Sequence, residues 1–426
     1  MWIELAPLVV AAFVCTGASF LCLRSHWKEF LWLPGLLLFA WLIAPDLQRQ
    51  DYIGHEASYI DFFLGKQQLT EGTTLSYPAM QLWWWFWGLV LPENPRWCSL
   101  IALAWGSMTA LMFGHWVRLW FGDVLGVLAS IWLLSHPVFL AWSTSPYNVI
   151  FPIGFGMMAV LAWDMGARTK QRHWFYLAAS ALLWAAAMRL ELGVFYLLVL
   201  AWAFANRVDW RLWLGPWLLS LILLACSLSS VMQSIPGEGE RWLAFQLNWS
   251  ALTYFAPYNN LLGGLLLIIS GVIACRKHWP QTLVLGLAVL GNHLLMATFD
   301  DYGFRHTLFM LLANGWLLAC AAHTMRSWGW LLALACVILH VMGLQHVHER
   351  YYASQEQFVA FVRGKWGNEL PEISLQDARK QGCAWIADDS RKTSRSAALV
   401  AMPAGCEVAK LRSESIPTSD HGPSAG

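Results

Sequence analysis

The sequence predicts an all-α polytopic membrane protein, and three observations carry that prediction. Apolar runs of the roughly 20 residues needed to cross a bilayer recur along the chain. Charged residues make up only 12%, about half the share usual in a soluble domain, against 58% hydrophobic residues and a mean hydropathy of +0.48. Tryptophan, which favours the membrane–water interface, reaches 29 residues. A soluble protein with a greasy core does not account for so many runs of spanning length. The formal net charge of +1 has nothing to offer a polyanion, so nucleic acid is not an expected partner.

Taken in order, the runs lie at 6–23, 29–44, 98–118, 124–142, 147–166, 174–188, 190–205, 212–233, 258–275, 280–298, 306–322 and 328–345, roughly twelve spans. The N-terminus lacks the basic segment of a cleavable signal, so the first run reads as a retained span. Basic residues set the sidedness. Arg24 with Lys28, Arg168 with Lys170 and Arg172, Arg207 with Arg211, Arg276 with Lys277, and Arg326 mark cytoplasmic connections. Placing them all inside requires that residues 79–91 do not cross. That stretch, AMQLWWWFWGLVL, is about 13 residues long and suits a helix in the outer interface, started by Pro78. Residues 46–97 then form one large external structure, with 234–257, 299–306 and everything past about 346 on the same side.

The external tail divides further. Residues 349–364 read as an amphipathic helix. The runs 383–388 (CAWIAD), 397–402 (ALVAM) and 406–410 (CEVAK) are β-prone, which predicts a small α/β subdomain over 346–412. Residues 413–426 are Ser/Pro/Gly-rich and read as disordered. Of nine cysteines, seven sit in or beside apolar runs as packing residues. Cys383 and Cys406 lie in the tail, where pairing and free thiols are both open.

Candidate chemistry collects outside. The polar island 46–77 holds Asp51, His55 and Glu56 just beyond a span. The stretch 55–64 has helical spacing, with Glu56, Tyr59, Ile60 and Phe63 on one side and Glu56 in the first turn, where the helix dipole favours a carboxylate. Two carboxyl groups and an imidazole near one point make a general base, and a solvated loop with an N-terminal helix acid is the other reading. Ser76-Tyr77-Pro78 leads into the Trp run, which interfacial anchoring alone explains. The hairpin FDDYGFRH brings Asp300, Asp301, Arg305 and His306 together, and a planar guanidinium there suits phosphate. A self-neutralising turn is the alternative. Arg189 and Glu191 interrupt a long apolar stretch at an outer turn, either lining a cavity or snorkelling. Arg241 is an external cation in the next large loop. His115, His136, His293, His323 and His340 are scattered singly and read as packed or interfacial. No Cys/His spacing matches a zinc site. A divalent ion held by Asp300, Asp301 and the first-loop acids has no support in spacing, so no cofactor is expected.

In this order the pieces resemble the GT-C superfamily of integral-membrane glycosyltransferases, nearest the branch of aminoarabinose transferases and protein O-mannosyltransferases. That branch carries an Asp-Glu pair with a nearby Tyr in its first external loop, then a Pro-Pro element and an aromatic interfacial helix. Here Glu56 falls on the Glu of the pair, Tyr59 on the Tyr and Pro78 on the first Pro. Asn94 and Arg96 resemble a later turn, SPYNVIF (145–151) a small polar external turn, and YGFRHTLF (302–309) a late Arg-containing turn. Three departures stand out. His55 occupies the place of the Asp, Ala79 replaces the second Pro with Tyr77 where a basic residue is common, and one extra span precedes the first loop.

The resemblance implies a bacterial inner-membrane enzyme with its active face to the periplasm. A polyprenyl-phosphate-linked sugar would be the donor, and a glycan, lipid or protein hydroxyl the acceptor, with inversion at the anomeric carbon. Asp51 or Glu56 would be the base with His55 beside it. Tyr59, Tyr77, Arg189, Arg241, Asp301, Arg305 and His306 would bind substrate. A non-catalytic transporter or scaffold for lipid-linked glycans keeps the same fold without the chemistry.

Overall fold

The computed structural model describes residues 6–14, 17, 31, 33–43, 55–66, 78–146, 149–227, 260–296, 308–326, 328–338, 340–341, 372–373, 384–387, 399–401 and 408–411. The chain divides into two units, residues 1–300 with 304–347, and residues 301–303 with 348–426.

The first unit is built of helices. Residues 6–14 form α1. Then come α2 (Leu33–Ile43), α3 (His55–Phe63), α4 (Pro78–Val90), α5 (Arg96–Phe121), α6 (Asp123–Ser135), α7 (Pro137–Ser143), α8 (Ile150–Thr169) and α9 (Arg172–Met188). A 3-10 turn (Leu190–Gly193) precedes α10 (Val194–Ala205), α11 (Trp210–Ser227), α12 (Asn260–Met296), α13 (Leu308–Thr324) and α14 (Trp328–Ile338). Among the described residues, α5 and α8 are long and apolar enough to cross a membrane, while α2, α6, α10, α11, α13 and α14 are apolar but shorter.

Three expected spans differ in detail, at two places and each for a local reason. The run 124–142 is two helices, because His136 is extended (φ −66, ψ 122) ahead of Pro137, as a residue before proline prefers. The runs 258–275 and 280–298 appear as one stretch, α12, of 37 residues. At 1.5 Å per residue it would be about 55 Å long, well beyond a hydrocarbon core of about 30 Å. It is in fact two helices meeting at His278 (φ −131, ψ 49), with Pro280 just after.

Close packing fixes the bundle. α5 and α6 approach through Gly114 and Gly126, where an added Cβ would collide with Ser130 and Arg118 of the facing helix, as small residues allow between membrane helices. The turns at one end share a device. Lys170 (φ 56), Arg207 (φ 51) and Arg326 (φ 56) are the non-glycine residues with positive φ among those described, and each follows a helix. A left-handed residue ends a helix by turning its N–H back on the last turn, as Lys170 does onto the Gly166 carbonyl at 2.8 Å. A basic side chain there also meets the negative end of the helix dipole.

In the second unit, β1 (Glu372–Ile373), β2 (Ala384–Ala387), β3 (Leu399–Ala401) and β4 (Val408–Leu411) form one sheet in the order β1-β4-β3-β2. β1 runs parallel to β4, and the other pairs are antiparallel, with Val400 opposite both Ala409 and Trp385. Three strands fall on the expected β-prone runs, and β1 is an addition. The helix expected at 349–364, Cys383, Cys406 and the tail 413–426 lie outside the described residues.

Candidate active site at the end opposite the basic turns

Several segments singled out in the sequence meet at one end of the helical unit. His55 and Glu56 stand in the first turn of α3. Tyr59, Ile60 and Phe63 of the predicted side are buried, Tyr59 to 1% exposure, and Phe62 beside them is buried too. α3 lies hard against α4 at Gly88, where a Cβ would collide with the Phe63 carbonyl.

α4 is more than an anchor. Its outer residues Trp85, Phe86, Leu89 and Val90 are exposed, as an interfacial helix requires, but Trp84 is fully buried. Its ring meets Phe63 edge-on at 6.4 Å and Phe151 at 5.2 Å, and its Nε1–H donates to the Pro146 carbonyl at 3.1 Å. Trp83 contacts Trp105 (5.2 Å), Phe151 (5.5 Å), Phe155 (5.8 Å) and Trp184 (6.5 Å). The Trp run thus joins the first-loop helix to the polar turn at 145–151 and to α9.

Arg189 follows α9 directly. It is extended (φ −162, ψ 108), its N–H donates to the Ala185 carbonyl (3.1 Å), and its own carbonyl accepts from the Leu192 N–H (3.0 Å). The residue is 5% exposed, so it is enclosed rather than snorkelling to water. Because α4 packs on α9, a buried guanidinium and the helix bearing Glu56 belong to the same end of the unit. Asp51, Tyr77, Arg241, Asp301, Arg305 and His306 lie outside the described residues. Among the described residues, no three His, Cys, Asp or Glu side chains gather to hold a metal.

Sequence reasoning passed over two arrangements. Asp164 of α8 is 2% exposed and accepts from Trp120 Nε1 (2.9 Å), Trp202 Nε1 (3.5 Å) and Arg168 Nε (3.2 Å). Arg168 also lies over the Trp120 ring at 5.0 Å. An acid inside an apolar run with a basic residue four places on was a readable signal. The node ties α5, α8 and α10 at the basic end, away from the candidate site. His136 and His340, both 1% exposed, stand 5.3 Å apart against Trp132. No spacing rule links positions so distant in the chain.

No family model matches the sequence, and no curated protein sequence does either. Among solved structures, ArnT from Cupriavidus metallidurans in the apo state is similar at a TM-score of 0.51 and 13% identity, covering 83% of each chain. The chain has a GT-C-like fold. The same ArnT bound to undecaprenyl phosphate gives a TM-score of 0.49 at 14% identity, over 82% of this chain and 83% of that one. A GT-C-like bundle is what residue types, rather than residue identities, specify. Helix length, apolarity and small-residue contacts can persist while individual side chains diverge.

Proposed function

We propose that this protein is a membrane glycosyltransferase that moves a sugar from a polyprenyl-phosphate donor to an acceptor hydroxyl on the outer face of a bacterial inner membrane. The observation that carries this is the GT-C-like fold over 83% of the chain, with Glu56 in the first turn of a helix that Trp84 and Gly88 help hold at the same end as the buried Arg189. In the reaction the acceptor oxygen bonds to the anomeric carbon as the bond to the lipid phosphate breaks. Configuration inverts, and the polyprenyl phosphate leaves with the bonding electrons. Glu56 or Asp51 takes the acceptor proton, and His55 orients that carboxylate or shares its role. Arg189, Arg241 and Arg305 hold the departing phosphate through charge-assisted hydrogen bonds, with Tyr77, Asp301 and His306 completing the substrate contacts. Tyr59 is enclosed in the core, so its part is to keep α3 in place. Around this site we place roughly twelve spans.

The test is transfer by the full chain in vesicles, offered a panel of undecaprenyl-phosphate sugars. Glu56→Ala or Asp51→Ala should cost about 10²–10⁴-fold in turnover, whichever is the base. Near-normal transfer by both single variants and by the double variant would sink the assignment. The second reading, a non-catalytic transporter or scaffold for lipid-linked glycans, is favoured by His55 standing where the resemblance expects Asp. It requires that donor lipid binds while no sugar of the panel is transferred.

A further inference from the structure

At the basic end, far from the proposed chemistry, the break in α12 sets Lys277 and His278 against the ends of α5 and α13. The His278 ring lies 5.8 Å from Trp120, 6.1 Å from Phe121 and 6.2 Å from Trp316, and His323 lies 5.6 Å from Phe121 on its own side. Lys277 is near enough to act electrostatically on both His278 and Cys320, one turn before His323. Arg326 closes α13 in a left-handed turn, its N–H donating to the His323 carbonyl. Lys277, His323 and Arg326 are all exposed.

The cluster has no protein counterion among the described residues. The charged groups acting on His278 are Lys277 and His323, both basic. The acids at this end are engaged elsewhere. Asp123 is bound by Arg118 at 2.6 Å, Asp164 is held in its indole and Arg168 node, and Asp209 accepts from the Arg211 N–H. Cations at helix C-termini are favoured by the dipole, which accounts for His323 and Arg326. It does not account for Lys277 and His278 being brought to them across the break. Exposed Trp279 and Trp328 flank the cluster, and such rings sit at headgroup depth in a bilayer.

We infer that this cluster binds the phosphate of an acidic phospholipid in the leaflet on the basic side. Exposed cations gathered at helix ends at that depth suit a lipid phosphate. The flanking indoles favour a lipid over a soluble anion, because they offer an interfacial surface to the glycerol and upper chains. The inference is independent of the transferase reading and holds whether or not the protein moves a sugar.

The experiment counts lipids retained on the full-length protein by native mass spectrometry, titrating phosphatidylglycerol, cardiolipin or phosphatidylcholine. Wild type should retain the two acidic lipids preferentially. Lys277→Gln with Arg326→Gln should weaken that retention by about fivefold per cation removed. Lys170→Gln with Arg172→Gln, in a neighbouring loop, should leave it unchanged. Equal retention of phosphatidylcholine by wild type overturns the inference without need of any variant. So does an equal loss in the two double variants, which would mean general surface attraction. Displacement of the lipid by millimolar inorganic phosphate would show a free-anion site and also overturn it.

Discussion

Asp164 is the residue on which the basic end turns. Its carboxylate receives two indole N–H groups and the Arg168 Nε while only 2% of the residue is exposed. Removing it orphans buried donors, and hydrogen bonds to charged groups are worth about 1.5–3 kcal/mol. Arg168 is part-exposed and can return to water, which places the loss within that range rather than above it. Asp164→Ala should therefore lower thermal stability in detergent by an amount of that order, and Asp164→Asn by less, because one oxygen still accepts. His278, at the junction between the two helices of α12 and outside the spans, gives a pH signature. Burial first, then Lys277 and His323, hold its pKa below the ordinary 6.5. The folded state thus prefers the neutral ring. Its contribution is complete above about pH 6.5 and shrinks as pH falls toward the folded value, where the unfolded chain binds more protons. His278→Gln should flatten part of the fall in melting temperature between about pH 7.5 and about pH 5.5. An unchanged slope would show that His278 carries none of it.

At the scale of elements, the contact between α3 and α4 decides where the first-loop carboxylate can act. Gly88 lets α4 press on the Phe63 carbonyl, and Trp84 pins α4 to Pro146. Gly88→Leu should separate the two helices and lower both stability and any transfer activity, since the backbone at Phe63 cannot yield as a flexible side chain would. Trp84→Phe trims a fully buried ring and removes one hydrogen bond, a loss of about 1–3 kcal/mol that leaves the backbone approach of α3 and α4 intact. A melting temperature for Gly88→Leu equal to that of Trp84→Phe would refute the close-approach account. Elsewhere the same logic ends helices with Lys170, Arg207 and Arg326. A left-handed turn and a basic side chain coincide at each, so one residue both closes a helix and meets the negative end of its dipole.

For the whole molecule, the prediction concerns sidedness. Glu93→Cys, between α4 and α5, should react with an impermeant maleimide from the outside of intact cells. Lys170→Cys, between α8 and α9, should react only in inverted vesicles, both measured above the background of native cysteines. The opposite pattern would move the Glu56 end, and the proposed reaction with it, to the cytoplasm. The acidic-lipid site belongs to the other leaflet in either case, since it shares its end with Lys170.

Properties that depend on local composition were legible in the chain itself. Apolar runs placed most helices, Pro78 marked the start of α4, basic clusters marked the turns, and three β-prone runs located β2, β3 and β4. Helical spacing put Glu56 in a first turn, and an interrupted apolar stretch drew notice to Arg189. What tertiary structure alone decided was which side of a residue is covered and by what. It buried Arg189 instead of letting it snorkel, and turned Trp83 and Trp84 inward while Trp85 and Phe86 stayed out. It brought His136 to His340, and gathered Lys277, His278 and His323 around Phe121. Hydrophobicity, charge and turn chemistry act within a few residues and can be read in order. Packing partners distant along the chain are selected by shape and by unmet hydrogen bonds, and neither exists until the helices have assembled.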